Sequence, residues 1–427
     1  MKHLTLLVLI PYIFQAALVS ATTVEFNATL RHVDSGKNHN KTELLRLALH
    51  RSTKRNEWLR AALNGSSPEI EGPTSIIGRD WGEYLVTMSI GTPPVRFTAL
   101  IDTGDGFTWT HCAPCKTCPK QTHTRMFDPT KSSSYTALRC PSEMCELYYF
   151  SNPCRSKQPF GGKCTYNLTY TDGTGSWGDL ATETLWSKDN TASVPGVMFG
   201  CAHYVHGDQL GSTGTLGLGP GRYGLVSQFN VSAFSYCLPE PGSNRTGGLY
   251  VGCGARAPPD ALTTPLSISW RGQYYVIQLQ EIVVGGARVP IDQTKGAIID
   301  SGATFTRLDK TAFEAVGWEL DRQLGLPRIT DGDYVLDICY KLPRGGGGIG
   351  FPKLVLRFEG ADLELPSENY LVIDEDKGIV CLAMLPCLEN FQVTTLGNYQ
   401  QKNMLVVYDL ANGKLSFVPN YTQCDEM

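Results

Sequence analysis

Two short stretches set a carboxylate at the end of an apolar run and follow it with a hydroxyl residue and a glycine. One is ALIDTG, ending in Asp102, Thr103 and Gly104; the other is AIIDSG, ending in Asp300, Ser301 and Gly302. Alone, each reads as an ordinary turn, because Asp and Gly are common turn formers. Their surroundings repeat, however. EYLVTMSIGTPPVRFTALIDTGDGFTW, residues 83–109, is answered by QYYVIQLQEIVVGGARVPIDQTKGAIIDSGATFTRL, residues 273–308. Each opens on an acid or amide and a tyrosine, passes through two strands joined by a glycine turn and ends on its Asp. Two such halves predict two lobes with one acid each, and a pseudo-twofold axis would bring the acids face to face. Two carboxyls in contact cannot both ionise cheaply, so they share a proton and titrate as a pair. Such a pair can act as base and acid on one water.

The elements that must hold these acids read as mostly β, an all-β chain with few helices. EYLVTMSI, RFTALID, YYVIQLQEIVV, GAIID, KLVLRFE, NMLVVYD and KLSFVP are apolar or alternating runs of strand length. The helical candidates in this body are KTAFEAVGWELDRQL, residues 310–324, and the short LVSQF. At 427 residues the chain can bury two cores. Hydrophobic residues make up 42% and charged residues 18%, with a net charge of −4, which suits a globular protein and gives no footing for nucleic acid.

The first 21 residues, MKHLTLLVLIPYIFQAALVSA, have a basic start, an apolar run and small residues at the end, the pattern of a signal peptide. No later stretch approaches a membrane span. Export turns the 14 cysteines into disulfide candidates; CAPCKTC lacks the partners a zinc or iron–sulfur site needs. Seven glycosylation sequons, at Asn27, Asn40, Asn64, Asn167, Asn230, Asn244 and Asn420, fit the same route. Residues 22–74 stand apart: no cysteine, and eight Lys or Arg against six Asp or Glu, whereas residues 75–427 carry 28 against 35. Within them KTELLRLALHRSTKRNEWLRAAL has leucines at helical steps. A basic segment ahead of an acidic body is expected to be a prosegment covering an acidic cleft, with NGSSPEIEGPTS, residues 64–75, as the exposed stretch where it is cut.

Several motifs together resemble the pepsin-like aspartic endopeptidases, specifically the plant nepenthesin-type group, over about residue 83 to Cys424. The two Asp-(Thr/Ser)-Gly triplets match its catalytic loops. Trp109 matches the tryptophan that supports the flap tyrosine, and LTYTDGTGSWGD looks like the flap, with Tyr170 at the tyrosine position. GTLGLG and TTLGNYQQKNMLVVYD look like the segments crossing behind the loops, and LELPSENYLV and VCLAM are close to nepenthesin-type wording. The resemblance implies a bilobal fold, an N-terminal lobe over 75–262 and a C-terminal lobe over 263–427. It implies a water between Asp102 and Asp300 attacking a peptide bond, with Thr103, Gly104, Ser301, Gly302, Trp109 and Tyr170 around the substrate and no metal or cofactor. The partners it implies are a peptide or protein substrate in the cleft and the chain's own prosegment, in a monomer that reaches the apoplast or, less expectedly, the vacuole. It also implies six disulfides: 112–115, 118–201, 140–164, 145–154, 237–424 and 339–381. Cys253 and Cys387 are left over, to pair together or stay free.

Two positions depart from that pattern. The family's usual Ser after the first Gly is Asp105, and the second loop's Thr or Ser is Ala303. Losing two hydroxyl donors and adding a charge should raise the pKa of the pair and move activity toward neutrality, whereas an Asp105 that caps a local turn would matter less. The competing expectation is a weak or inactive binder on the same fold, as in xylanase-inhibitor-like relatives; retention of both Asp, Trp109 and Tyr170 speaks for the enzyme. PRGGGGIGFP reads as a flexible loop, His111 and His123 as surface histidines, and HRSTKR, residues 50–55, as a solvated helix face or processing site.

Overall fold

The structure, a computed structural model, describes residues 25–63, 83–119, 125–141, 145, 162–169, 175–207, 211–269, 272–330, 336–343, 349–389, 392–421 and 423–426. The expected signal peptide, the cut site within 64–75, Tyr170, His123 and Cys154 lie outside them, as does much of the glycine-rich loop.

Strand β1 (Glu25–His32) alternates buried residues with half-buried ones after an exposed Glu25 and sits inside a sheet: it pairs antiparallel with Tyr84–Ile90 on one side and Gly247–Gly252 on the other. Helix α1 (Lys41–Leu63) follows. Asn40 caps it, its side chain accepting the Glu43 N–H at 2.9 Å. Lys41 Nζ donates to the Ile373 carbonyl at 3.0 Å and Thr42 Oγ1 to Asp374 at 2.8 Å, which pin the start of α1 to the C-terminal half. Leu45, Ala48 and Leu49, the helical leucine stripe, pack there against Phe305, Leu336, Ile379 and Leu385. The chain ahead of residue 64 therefore grips both halves.

In the first half β2 (Tyr84–Ile90) pairs antiparallel with β3 (Val95–Asp102), whose last six residues are all buried. The apolar run before Asp102 is thus a central strand covered on both faces. After the Asp the chain turns into β4 (Trp109–His111), and β5 (Gly214–Gly217) lies parallel to β3 and antiparallel to β4. The second half repeats this. Strand β6 (Tyr274–Ile277) pairs with β7 (Ala297–Ile299), which leads to Asp300; β8 (Thr306–Leu308) follows, and β9 (Thr394–Leu396) is parallel to β7 and antiparallel to β8. The echo is therefore structural, with one difference. YYVIQLQEIVV is not one strand but breaks at Gln278; its second part, Leu279–Val284, joins Ala287–Pro290 in a separate four-stranded sheet. That extra hairpin makes the second copy longer. Helices form at Lys310–Leu324 and Leu225–Phe229, and one-turn helices form at Ser367–Tyr370 and Asn398–Gln401.

Disulfides 237–424 and 339–381 are as the resemblance implies, but Cys112 bridges Cys201, Cys115 bridges Cys118, and Cys145 bridges Cys164. The local strand geometry explains the first exchange. Strand β4 lies parallel to Ser193–His206, with Thr110 opposite Cys201 and the Cys112 N–H on the Ala202 carbonyl, so Cys112 meets Cys201 before it can reach Cys115. Bridging of Cys145 to Cys164 rules out both 140–164 and 145–154. The sulfurs of Cys140, Cys145 and Cys164 cluster within 4.8 Å. All three are bridged and so are not thiolate ligands. Cys253 is free and exposed, and Cys387 is free and buried.

Candidate active site

The two loops lock to each other through their hydroxyl residues. Thr103 N donates to Ser301 Oγ at 3.0 Å and Ser301 N to Thr103 Oγ1 at 2.9 Å; each hydroxyl reaches back to the carbonyl before the opposite Asp, Thr103 to Ile299 and Ser301 to Ile101, at 3.4 Å. These groups are fully buried, so each polar atom finds its partner across the interface. The Gly104 and Gly302 N–H groups donate to Oδ1 of Asp102 and Asp300, both at 2.8 Å. The glycines also make room: a Cβ on Gly302 would lie 2.6 Å from Asp102 Oδ1, and one on Gly104 would lie 3.0 Å from both Asp300 oxygens. Behind the loops, Gly217 N donates to Thr108 Oγ1 and Gly397 N to Thr306 Oγ1, both at 3.1 Å.

Between the acids sits a group the sequence did not mark as part of the site. Arg55 of α1 donates from Nη1 and Nη2 to Asp102 at 2.7 and 2.6 Å, and from Nε and Nη2 to Asp300 at 2.9 and 3.1 Å. One nitrogen thus touches an oxygen of each acid. Arg51, one turn earlier, donates to Glu83 at 2.8 and 2.6 Å and to Asp34 at 3.0 Å, with His32 beside them. HRSTKR is therefore not a solvated face: Arg51 and Arg55 are 2% and 1% exposed. Residues four apart share one helix face, and this face meets carboxylates instead of water. Ser52 lies between them, its Oγ accepting from Phe305 N at 3.4 Å.

Burial pushes Asp102 well above the ordinary aspartate range; Arg55 and the Gly104 N–H pull it down, while Asp300 and Asp105 push it up. Asp300 is fully buried. Burial also raises Tyr274, whose electrostatic neighbours are Arg55, Asp300, Asp105 and Asp102, so its ring borders the site from the first residue of β6. Sequence reading placed Tyr274 in the echo but gave it no role. Asp105 is buried and accepts the Phe107 N–H on Oδ1 at 2.9 Å, capping the turn after the first loop. It caps a turn and charges the site at once. Ala303 is buried, its carbonyl accepting Asn398 N at 2.7 Å.

Trp109 is buried beside Phe107, Tyr166 and Leu168. Its Nε1 has no hydrogen-bond partner among the described residues. His111 is not a surface histidine. It is buried on β4, and burial holds it down at about 4, uncharged at neutral pH. Among the described residues no helix is long and apolar enough to cross a membrane.

Residues 84–253 match the family model described as xylanase inhibitor N-terminal, and residues 274–419 the one described as xylanase inhibitor C-terminal. The chain is 38% identical over 410 residues to aspartic proteinase nepenthesin-1 of Nepenthes gracilis, covering 93% of this chain and 90% of that relative. It is 38% identical over 407 residues to nepenthesin-2 of the same plant, covering 92% and 89%. Among solved structures, basic 7S globulin from soybean superposes with a TM-score of 0.65 at 18% identity, over 95% of this chain and 99% of that one. At that identity the likeness concerns the fold.

Proposed function

Since the chain belongs to the nepenthesin-type family of pepsin-like plant aspartic proteinases, we propose that it is a secreted aspartic endopeptidase made in a latent form, with residues 22–74 as its inhibitory prosegment. The observation that carries the reading is the single guanidinium nitrogen lying 2.6 Å from Asp102 Oδ1 and 3.1 Å from Asp300 Oδ1. A water at that point would touch both acids. With Arg55 withdrawn, the carboxylate accepts the water's proton as the water attacks the peptide carbonyl. The carboxylic acid donates to the carbonyl oxygen, and the proton then reaches the leaving amine. Thr103 and Ser301 hold the two loops together, the Gly104 and Gly302 N–H groups orient the acids, and Trp109 with Tyr170 would border the bound peptide.

The lock has a pH-sensitive part away from the acids. Burial opposes ionisation of Glu83, but Arg51 and then His32 hold it down at about 2. A depressed carboxyl stabilises the folded state above its unfolded pKa and loses that contribution as pH falls through the folded value. The Arg51–Glu83 pair therefore weakens from about pH 4.5 toward pH 2, the two values that bound the shift. A cavity of about 290 Å³, lined in part by His32, Arg51, Glu83, Tyr399 and Lys402, borders the pair. Glu83→Gln should make α1 accessible to limited proteolysis at a higher pH than in the wild type. Identical pH profiles for the two proteins would contradict this role.

Replacing Asp105 by Ser removes a charge that raises Asp102 and supplies a hydroxyl donor, so the alkaline limb of kcat/KM should move to lower pH. A pH–rate profile that superimposes on the wild type would remove Asp105 from the argument. The reading as a whole is tested by purified, processed protein acting on a denatured protein substrate from acid to neutral pH. Pepstatin-sensitive cleavage supports it. No cleavage at any pH would turn the search to a binding role for the same cleft.

A further inference from the structure

The C-terminal half holds a second buried cation, in electrostatic range of α1. Arg307, in β8, is 6% exposed. Its Nη1 donates to the Pro386 carbonyl at 2.8 Å, and its Nε is buried with no hydrogen-bond partner. Among the described residues no carboxylate comes within ion-pair distance of it, unlike Arg51 and Arg55. Burial pulls this guanidinium down to about 10, and the charged or titratable groups acting on it are the Cys387 thiol, Asp337 and Glu57. A buried cation without a carboxylate partner costs free energy unless one arrives.

The side-chain alternation of strand structure sets the direction of Arg307. Thr306 points behind the loops, its hydroxyl accepting Gly397 N. Phe305 and Arg307, two residues apart, share the opposite face. Phe305 packs against Ala48 of α1, and Leu385, opposite Arg307 in the parallel pairing of β8 with Met384–Pro386, belongs to the same apolar cluster. Arg307 therefore lies on the wall of the C-terminal half that α1 covers. From α1, Glu57 lies in electrostatic range of Arg307, two residues beyond the Arg55 that fills the acid pair; Lys54 holds it at 3.2 Å. Two carboxylates thus act on Arg307 without pairing with it, Asp337 of the C-terminal half and Glu57 of the segment that occupies the site.

The geometry points to Arg307 as a specificity-determining residue: once α1 withdraws, its guanidinium takes the carboxylate of an acidic side chain at one fixed position of the bound peptide. This rests on the endopeptidase reading above. Exposed Nε and Nη2 would present two parallel N–H donors, the arrangement that suits a carboxylate. The apolar cluster around Phe305 and Leu385 would hold the stem of the same side chain.

The test uses processed enzyme and pairs of peptides that differ only in Glu or Gln, scanned across the positions flanking the cut, at a pH above the ordinary glutamate range. At one position the wild type should favour Glu by about tenfold in kcat/KM, the size expected of one charge-assisted pair. Arg307→Gln should bring that ratio to about one, and Arg307→Lys should retain part of the preference. No Glu preference at any position in the wild type, or one that survives in Arg307→Gln, would overturn the assignment. If Arg307→Gln does not fold, the wild-type scan and Arg307→Lys still decide it. If the wild type cleaves neither peptide, the endopeptidase reading fails by itself. Fluorescence anisotropy of the same peptides bound to the processed chain then compares Glu with Gln, and equal affinities would overturn the role of Arg307 independently.

Discussion

Asp300→Asn should lower kcat/KM by about four orders of magnitude or more while leaving the processed enzyme folded. The general acid–base contribution alone is about 10²- to 10⁴-fold, and here one residue pair serves both steps. Asn keeps the shape and can still accept the Gly302 N–H that now bonds Asp300 Oδ1 at 2.8 Å. It can neither exchange a proton with the substrate nor share one with Asp102. Asp102→Asn should cost about as much, and the double variant little more than either single one, because the acids act as a unit. Cleavage assays with a burst-free peptide substrate, beside a circular dichroism spectrum, measure both halves of the expectation. A loss of less than about a hundredfold in kcat/KM, below the span of general acid–base catalysis, would mean the chemistry runs elsewhere.

Arg55→Ala should have the largest effect on the uncut chain. Four hydrogen bonds run from this guanidinium to the acid pair. Removing one partner of a buried ion pair costs about 3–5 kcal/mol, because the remaining charge is left without compensation. The uncut variant should therefore unfold at lower denaturant than the wild type at neutral pH, and should bind an active-site inhibitor that the wild type excludes. The stability difference should narrow as pH falls through the raised pKa of Asp102, whose protonated carboxyl needs no cation. Arg55→Lys should recover part of the stability, since it keeps a charge but only one donor centre. Equal denaturation midpoints for Arg55→Ala and wild type across this range would show that α1 rests on the site without locking it.

Sequence made the acid pair legible because its signal is local: an apolar strand, an Asp, a hydroxyl residue and a glycine, present twice. The bounds of α1 were legible for the same reason, since leucines at helical steps define one face. The partner of that face was not. Arg55 meets Asp300 across 245 positions, and nothing in HRSTKR distinguishes a basic turn facing water from one facing carboxylates. His111 reads as a loop residue beside cysteines, yet the pairing of β4 with strands on both sides buries it. The same parallel pairing decides the Cys112–Cys201 bridge, so that exchanged disulfide and the misjudged histidine have one cause. Neighbouring strands in a parallel sheet come from distant sequence, and their identity is not written beside the residues they cover.

Strand β1 bears on the history of the molecule more than on its chemistry. It occupies a slot inside the large sheet, with six register pairs to Gly247–Gly252 and four to Tyr84–Ile90. The uncut chain can therefore assemble that sheet around a strand it supplies itself. On the proposed route, cutting after α1 and losing residues 25–63 opens two facing edges that a new segment must fill or that remain as templates for another chain. On that route the processed protein would keep a sheet assembled around a strand it no longer has, so its lifetime would rest on the rate of unfolding more than on refolding. Such an enzyme would be durable while folded and would fail to return once denatured: its persistence would depend on how it was made.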